Sequence, residues 1–173
     1  MTSFTHHPFN TNFVLELRDN YANGTYYNLT LDEFVQTIDS SLLHGYTVVW
    51  DGNTYEYNAN DIKNYGLVMF PIESSNGIKL LKTNTPEINV DQQTRQIAFE
   101  RLQTSDYHLM HIVGIVKTKN GKKFYKIKDS GGDYGPYNGY IYMSESHLKM
   151  RTVSVTVNKN SLPNAIRKRI NEK

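Results

Sequence analysis

Apolar residues recur at helical spacing after Thr30, and this is the clearest local pattern in the chain. The sequence Thr30-Leu31-Asp32-Glu33 forms a capping box, in which the Thr30 side chain accepts from the Glu33 amide and the Glu33 carboxylate caps Thr30. A helix is predicted to begin here and to end at Gly45. The apolar run Tyr46–Trp50 then predicts a short, largely buried strand. The inward face of the helix consists of Leu31, Phe34, Val35, Ile38 and Leu42.

A second helical pattern runs from about Asp91 to Gln103. Asn89 or Asp91 has the side chain of an N-terminal cap. Between the two helices, the stretch from Gly52 to Asn64 has no clear period and is interpreted as a loop. The residues of the second helix predicted to face the core are Ile97, Ala98, Phe99 and Leu102.

Further along the chain the period becomes that of strands. The segments His108–Thr118 and Lys122–Lys128 flank Asn120-Gly121, a pair that favours a two-residue turn with positive φ angles. Tyr140–Ser144 and Thr152–Asn158 are further predicted strands. The sequence thus predicts an α+β fold, in which a twisted antiparallel sheet closes towards a barrel and two main helices pack against it.

Composition and charge are those of one domain spanning residues 1–173. The hydrophobic share is 38%, and 13 Tyr and 7 Phe supply much of the core material. A formal charge of +2 gives no overall attraction to nucleic acid or to acidic membranes. The sequence has neither a signal-peptide pattern at its start nor an apolar stretch long enough to span a membrane. We therefore expect a soluble protein, cytoplasmic if the chain is complete, with no membrane partner.

The chain contains no cysteine, which excludes disulfides, thiolate metal ligands and a thiol nucleophile within it. His108 and His111 are three residues apart, a spacing that places them on opposite faces of a strand. Because the surrounding residues favour a strand, we expect no metal site here, and no motif predicts a cofactor. By spacing alone, His108 is most simply interpreted as a core histidine with satisfied hydrogen bonds.

Lysines with aromatic residues between them follow the predicted hairpin, a composition that also occurs on nucleic-acid surfaces. Strand alternation would divide these lysines between two faces, and the net charge is small. We therefore interpret the hairpin as solvated and expect no nucleic-acid partner. The residues concerned are Lys117, Lys119, Lys122, Lys123, Lys126 and Lys128, with Phe124 and Tyr125 between them.

Six segments in order along the chain resemble the bleomycin hydrolase and aminopeptidase C family of papain-like cysteine peptidases. The resemblance spans nearly the whole chain and implies a papain-like β-barrel lobe. It further implies that His108 is the base and proton carrier for a cysteine thiolate, and that Asp129 orients the imidazole. The segments are Phe4–Phe9, Tyr27-Asn28 with Leu31–Glu33, Gly45–Trp50, His108–Met110 with Gly114, Lys128–Gly132 and Gly139–Ser144.

Three departures from the family pattern change what the resemblance implies. Position 129 is Asp rather than Asn, and its carboxylate would stabilise an imidazolium more strongly. Position 131 is Gly where the family has a Trp that would shield the histidine contact from water. The nucleophilic Cys and the Gln of the oxyanion hole belong to an N-terminal half that this sequence does not contain.

The resemblance therefore implies the C-terminal, histidine-bearing part of a cysteine aminopeptidase, which we expect to be inactive alone. Its partners would be a peptide substrate and a Cys-bearing N-terminal lobe or chain, and a homo-oligomer is possible. The resemblance is equally consistent with an expressed fragment, a natural truncation and one partner of a split enzyme. The alternative function is a non-catalytic pseudopeptidase lobe that binds a peptide or a protein partner.

The predicted hairpin register does not by itself bring His108 and Asp129 together. A two-residue turn pairs Lys119 with Lys122, and Asp129 then lies opposite Ile112. Four residues along a strand correspond to roughly 13 Å, which separates Asp129 from His108. Contact between the two side chains therefore requires a β-bulge or a longer loop in the hairpin.

Overall fold

A six-stranded sheet with helices against it forms the main body of the chain, and a two-stranded sheet lies near the N-terminus. The computed structural model describes residues 1–54, 64–72 and 81–171, so most of the predicted loop from Gly52 to Asn64 lies outside the described residues. The strands are β1 (Asn12–Val14), β2 (Thr25–Tyr27), β3 (Val48–Gly52), β4 (Leu67–Val68), β5 (His108–Lys117), β6 (Lys123–Lys128), β7 (Tyr140–Ser144) and β8 (Thr152–Thr156). The α-helices are α1 (Leu31–Leu43), α2 (Gln92–Glu100), α3 (Glu145–Arg151) and α4 (Asn164–Asn171).

The strand order of the large sheet is β4-β7-β6-β5-β3-β8. Neighbouring strands are antiparallel except β4 and β7, which are parallel. The α+β class is therefore confirmed, and the predicted antiparallel pairing holds everywhere but at this edge. Among the described strands no pairing joins β4 to β8, so the sheet is open there rather than closed into a barrel.

Helix α1 forms as its sequence predicts. Thr30 caps it, with the side chain of Thr30 accepting from the Glu33 amide and the Glu33 carboxylate accepting from the Thr30 amide. The predicted apolar face is buried against β3 and β5, with only Leu42 partly exposed. Burial of this face stabilises both the helix and the sheet. The packing of α1 therefore holds β5, the strand that carries His108, in place.

Helix α2 has a different buried face from the predicted one. Asp91 caps the helix, as expected, but the helix ends at Glu100, and Ile97 and Leu102 are exposed. Of the four residues predicted to face the core, Ala98 alone is fully buried. The buried positions also include Arg95, whose guanidinium donates to the carbonyl of Ser3.

Polar side chains replace apolar ones on this face because the N-terminal segment needs hydrogen-bond partners. Arg95 donates to the carbonyls of Ser3 and Lys149 at 2.8 Å and 2.7 Å, and its guanidinium lies 4.5 Å from the ring centroid of Phe4. Gln96 accepts from the amide of Thr5 at 2.6 Å. Buried backbone groups must be paired, so these contacts outweigh the apolar periodicity.

Leu102 follows the C-cap of α2 with a φ of 57° and a side chain that is 87% exposed. A residue with a Cβ is strained in this left-handed conformation, which glycine adopts freely. Leu102→Gly should therefore raise the free energy of unfolding by about 1 kcal/mol. Urea denaturation measures the change, with Leu43→Gly, at an exposed position within α1, as a destabilising control. A lower stability for Leu102→Gly would contradict the strain argument.

Two short helices complete the framework around the large sheet. Helix α3, which the sequence pattern did not predict, begins at its cap Ser144 and leads straight into β8 at Thr152. Helix α4 follows Pro163 and buries Ile166. Within the described part of the chain, no helix is both long and apolar enough to cross a bilayer.

Candidate active site

His108 and Asp129 lie side by side at one end of the β5–β6 hairpin. His108 is the first residue of β5 and pairs with Gly52 of β3, while Asp129 directly follows β6. His108 Nε2 lies 3.0 Å from Asp129 Oδ1. The imidazole side chain is 34% exposed and the carboxylate side chain 16%. The structure therefore brings together the two residues singled out in the sequence, and solvent reaches the histidine.

The hairpin makes this contact by two departures from the simple register. The turn is one residue longer than predicted: Thr118 pairs with Lys122, and only Gly121 has a positive φ. This is the three-residue loop that ends in a left-handed glycine, rather than the two-residue Asn-Gly turn. A bulge between Ile112 and Gly114 shifts the register by a further residue.

Together the longer loop and the bulge move β6 two residues along β5. His111 now pairs with Lys128, so the continued register places Asp129 beside Met110 instead of Ile112. A diagonal neighbour two residues away is within side-chain reach across a strand pair. The predicted two-residue turn is therefore wrong. Contact was expected to need a bulge or a longer loop, and the hairpin has both.

The contact fixes the tautomer of His108. An ionised carboxylate can only accept hydrogen bonds, so Nε2 of His108 carries the proton and donates it to Asp129. In the neutral ring, the lone pair that can accept a proton is then on Nδ1. The arrangement can thus act as a general base through Nδ1, with the carboxylate stabilising the imidazolium that results.

Asp129 has a second hydrogen-bond partner, Tyr134, whose hydroxyl donates to Oδ2. Burial of the Asp129 carboxyl would raise its pKa, but the hydrogen bonds from Tyr134 and His108 outweigh burial and hold the pKa below its ordinary value. Burial and the adjacent carboxylate raise the pKa of the Tyr134 phenol. Asp129 is therefore ionised at neutral pH, and Tyr134 remains a donor.

Gly139 closes the loop that carries Asp129. Its carbonyl accepts from the Asp129 amide at 3.2 Å, and its amide donates to the Tyr134 carbonyl at 2.7 Å. Its φ is +75°, and a Cβ at this position would lie 1.9 Å from the carbonyl oxygen of Gly132. Only glycine fits this position without moving the loop.

Gly139→Ala should therefore lower the free energy of unfolding by at least about 2 kcal/mol and separate Asp129 from His108. Urea denaturation measures the first effect, and the NMR signal of the His108 Nε2 proton reports the second. Gly114→Ala is the matched control, because a Cβ at Gly114 has no atom within 4 Å. Equal stabilities of the two variants would show that the loop accommodates the added methyl group.

His111 lies on the opposite face of β5 from His108, as strand alternation predicts. Its side chain is exposed, and its Nε2 lies 2.9 Å from Thr47 Oγ1. The two histidines therefore do not form a common site.

A cluster of two histidines and a carboxylate lies near the N-terminus, where the atoms of His6, His7 and Glu16 that could bind a metal ion lie within 4.8 Å of one another. Gln96 Nε2 donates to His6 Nδ1, and the orientation of its amide is fixed because Gln96 Oε1 accepts from the Thr5 amide. The proton of a neutral His6 is then on Nε2, which donates to Glu16 at 3.1 Å. A metal ion would need that nitrogen unprotonated, so we interpret the cluster as a hydrogen-bond network.

Tyr134 is the residue of the site that sequence reasoning missed. In a chain with 13 tyrosines, nothing in the local pattern marks one of them as a partner of Asp129. The sequence gives an indirect signal, the glycine at position 131, which has no side chain to fill the space beside the carboxylate. In the structure the Tyr134 ring lies in that space, and a Cβ at Gly131 would be 3.0 Å from it.

The model of the Peptidase C1-like family matches residues 2–173, so the chain belongs to this family of cysteine peptidases. Its fold is similar to that of PepW from Lactobacillus rhamnosis HN001 (DR20), with a TM-score of 0.68 and 17% identity over 98% of this chain. Bromelain from Ananas comosus, solved in complex with the E64 inhibitor, is 19% identical, with a TM-score of 0.32 over 65% of this chain and 40% of its own. No curated protein matches the sequence.

The predicted resemblance to papain-like cysteine peptidases and the papain-like fold are thereby confirmed. The chain spans 36% of the length of PepW.

Proposed function

We propose that this chain is the histidine-bearing part of a papain-like cysteine aminopeptidase and that it hydrolyses peptide bonds only together with a Cys-bearing lobe or chain. The observation that carries the proposal is the 3.0 Å contact between His108 Nε2 and Asp129 Oδ1 on a solvent-accessible histidine. A core histidine with satisfied hydrogen bonds would be buried, whereas 34% of the His108 side chain is exposed.

In the proposed reaction, His108 Nδ1 takes the proton of the partner's cysteine thiol. The thiolate then attacks the peptide carbonyl, and the imidazolium donates its proton to the leaving amine, so that an acyl-enzyme and the released amine result. A water molecule, deprotonated by Nδ1, attacks the acyl-enzyme and breaks the thioester bond, so that the carboxylic acid is released. The imidazolium returns its proton to the departing thiolate, which restores the thiol. Asp129 keeps the ring oriented and stabilises the imidazolium in both steps.

The nucleophile has to come from outside the 173 residues, because they include no cysteine. Exposed apolar residues on either side of His108 in the chain support contact with such a partner: Tyr107 and Leu109 are 63% and 64% exposed, and alternation places Leu109 on the face of β5 opposite the imidazole. Large exposed apolar side chains of this kind commonly mark interaction surfaces. The same surface could pair two copies of the chain, which size-exclusion chromatography of the chain alone would detect.

The test is reconstitution. A segment with an in-frame Gln and Cys is sought in the coding sequence upstream of residue 1 or in a separate gene, and is expressed with this chain. Hydrolysis of an aminoacyl-coumarin amide by the combination, and by neither part alone, is the expected result. A Cys-bearing part that binds this chain without hydrolysis supports the pseudopeptidase alternative. Failure of any Cys-bearing part to bind would overturn the proposal.

A further inference from the structure

We propose that Tyr134 is a positioning residue of the histidine–carboxylate pair, which holds Oδ2 of Asp129 while Oδ1 faces His108. This inference rests on the proposed function, since it assigns the residue that prepares Asp129 for its part in the reaction. Tyr134 does not contact the imidazole in the contacts above and acts through the carboxylate.

Two different donors on the two oxygens fix the rotation of the carboxylate group. Without Tyr134, the remaining side-chain donors, His108 Nε2 at 3.0 Å and Ser130 Oγ at 3.5 Å, both lie at Oδ1. The carboxylate could then rotate and present either oxygen to them, because the two oxygens are chemically equivalent. The hydroxyl of Tyr134 on Oδ2 defines which oxygen receives the Nε2 proton. The contact with Tyr134 therefore restricts rotation of the carboxylate and fixes the position of the oxygen that accepts from the imidazole.

The backbone holds Tyr134 in this place. The Tyr134 carbonyl accepts from the Gly139 amide, and the Gly139 carbonyl accepts from the Asp129 amide, so the loop ties the two residues together by main chain as well as side chain. Gly131 leaves the space in which the Tyr134 ring lies, since a side chain there would start 3.0 Å from the ring. A large residue at position 131 and the observed Tyr134 ring would exclude each other.

The hydrogen bond from Tyr134 also stabilises the negative charge of Asp129, the group that faces the imidazole. A hydroxyl that donates to a carboxylate stabilises the negative charge on that group. Without the Tyr134 hydroxyl, the negative charge of Asp129 would be less stabilised, and the pKa of its carboxyl would be higher. Tyr134 thus favours the ionised form of Asp129 on which the Nε2–H tautomer of His108 depends.

The first experiment needs only the chain as it is. The pKa of Asp129 is measured from the carboxyl carbon signal in an NMR titration of the wild-type chain and of Tyr134→Phe, which keeps the ring. We expect a higher Asp129 pKa in Tyr134→Phe and no change in Tyr137→Phe, a 43% exposed tyrosine of the same loop. An Asp129 titration that is the same in wild type and Tyr134→Phe would overturn the inference.

A second measurement covers the case in which Tyr134→Phe does not fold. In the wild-type chain, the Tyr134 hydroxyl proton should exchange with water more slowly than that of Tyr137. Equal exchange of the two hydroxyl protons would contradict the contact with Asp129.

The reconstituted enzyme separates this inference from the proposed function. There, Tyr134→Phe should lower kcat about fivefold, the effect of one hydrogen bond, and leave KM unchanged. If the NMR results are as expected but the wild-type combination has no activity, the proposed function fails and the contact of Tyr134 stands. An unchanged kcat in Tyr134→Phe beside an active wild type would overturn the positioning role.

Discussion

Replacement of His108 by Ala should reduce the hydrolysis rate of the reconstituted enzyme by at least about 10⁴-fold. Alanine has no group that can take the proton from the thiol or return it to the leaving amine. Asp129 supplies neither function, because the hydrogen bond from Tyr134 helps to hold the pKa of its carboxyl below the ordinary value and so makes it a weak base. Steady-state kinetics with an aminoacyl-coumarin amide measure the loss.

His111→Ala is the matched control for this prediction. His111 lies on the same strand but on the opposite face, and its side chain contacts Thr47 rather than Asp129. We expect nearly full activity from this variant and unchanged circular dichroism from both. A His108→Ala enzyme with more than about a hundredth of wild-type activity would show that another group is the base.

Trp50→Ala should lower the free energy of unfolding by about 3–5 kcal/mol, the range for truncation of a large aromatic residue in a core. Trp50 is fully buried in the middle of β3, between β5 and β8. Its indole Nε1 donates to Thr152 Oγ1 at 2.8 Å, so the truncation leaves both a cavity and a lost hydrogen bond. Urea denaturation of the chain measures the effect.

The neighbouring residue Val49 provides the comparison, because it is 40% exposed on the other face of β3. Val49→Ala should change the stability by less than about 1 kcal/mol. Equal losses for Trp50→Ala and Val49→Ala would mean that β3 does not lie at the centre of the core. Since β3 pairs with the start of β5, Trp50→Ala should also loosen His108, which broadening of its NMR signals would reveal.

Helix α1 and helix α2 illustrate what a local pattern predicts and where it fails. The cap and apolar face of α1 are properties of neighbouring residues on one helix, and both are found as predicted. The buried face of α2 includes Arg95 and Gln96, because the N-terminal segment lies against it and presents backbone groups that need partners. That segment is about 90 residues away in sequence, so no local period contains it.

The candidate site shows the same division. The resemblance identified His108 and Asp129 as a pair, yet the simplest register separated them. A loop longer by one residue and a bulge near Gly114 close the gap. Neither is determined by composition or alternation, since Asn-Gly is compatible with more than one turn and a bulge depends on the partner strand.

By itself, the sequence determined the helix after Thr30, the positions of the strands in its C-terminal half and the absence of a thiol nucleophile. These follow from residue identity and short-range spacing. Only the tertiary structure decided the hairpin register, the choice of Tyr134 as the second partner of Asp129 and the polar face of α2. Each depends on contacts across strands, loops or distant segments, where a shift of one residue changes which side chains meet.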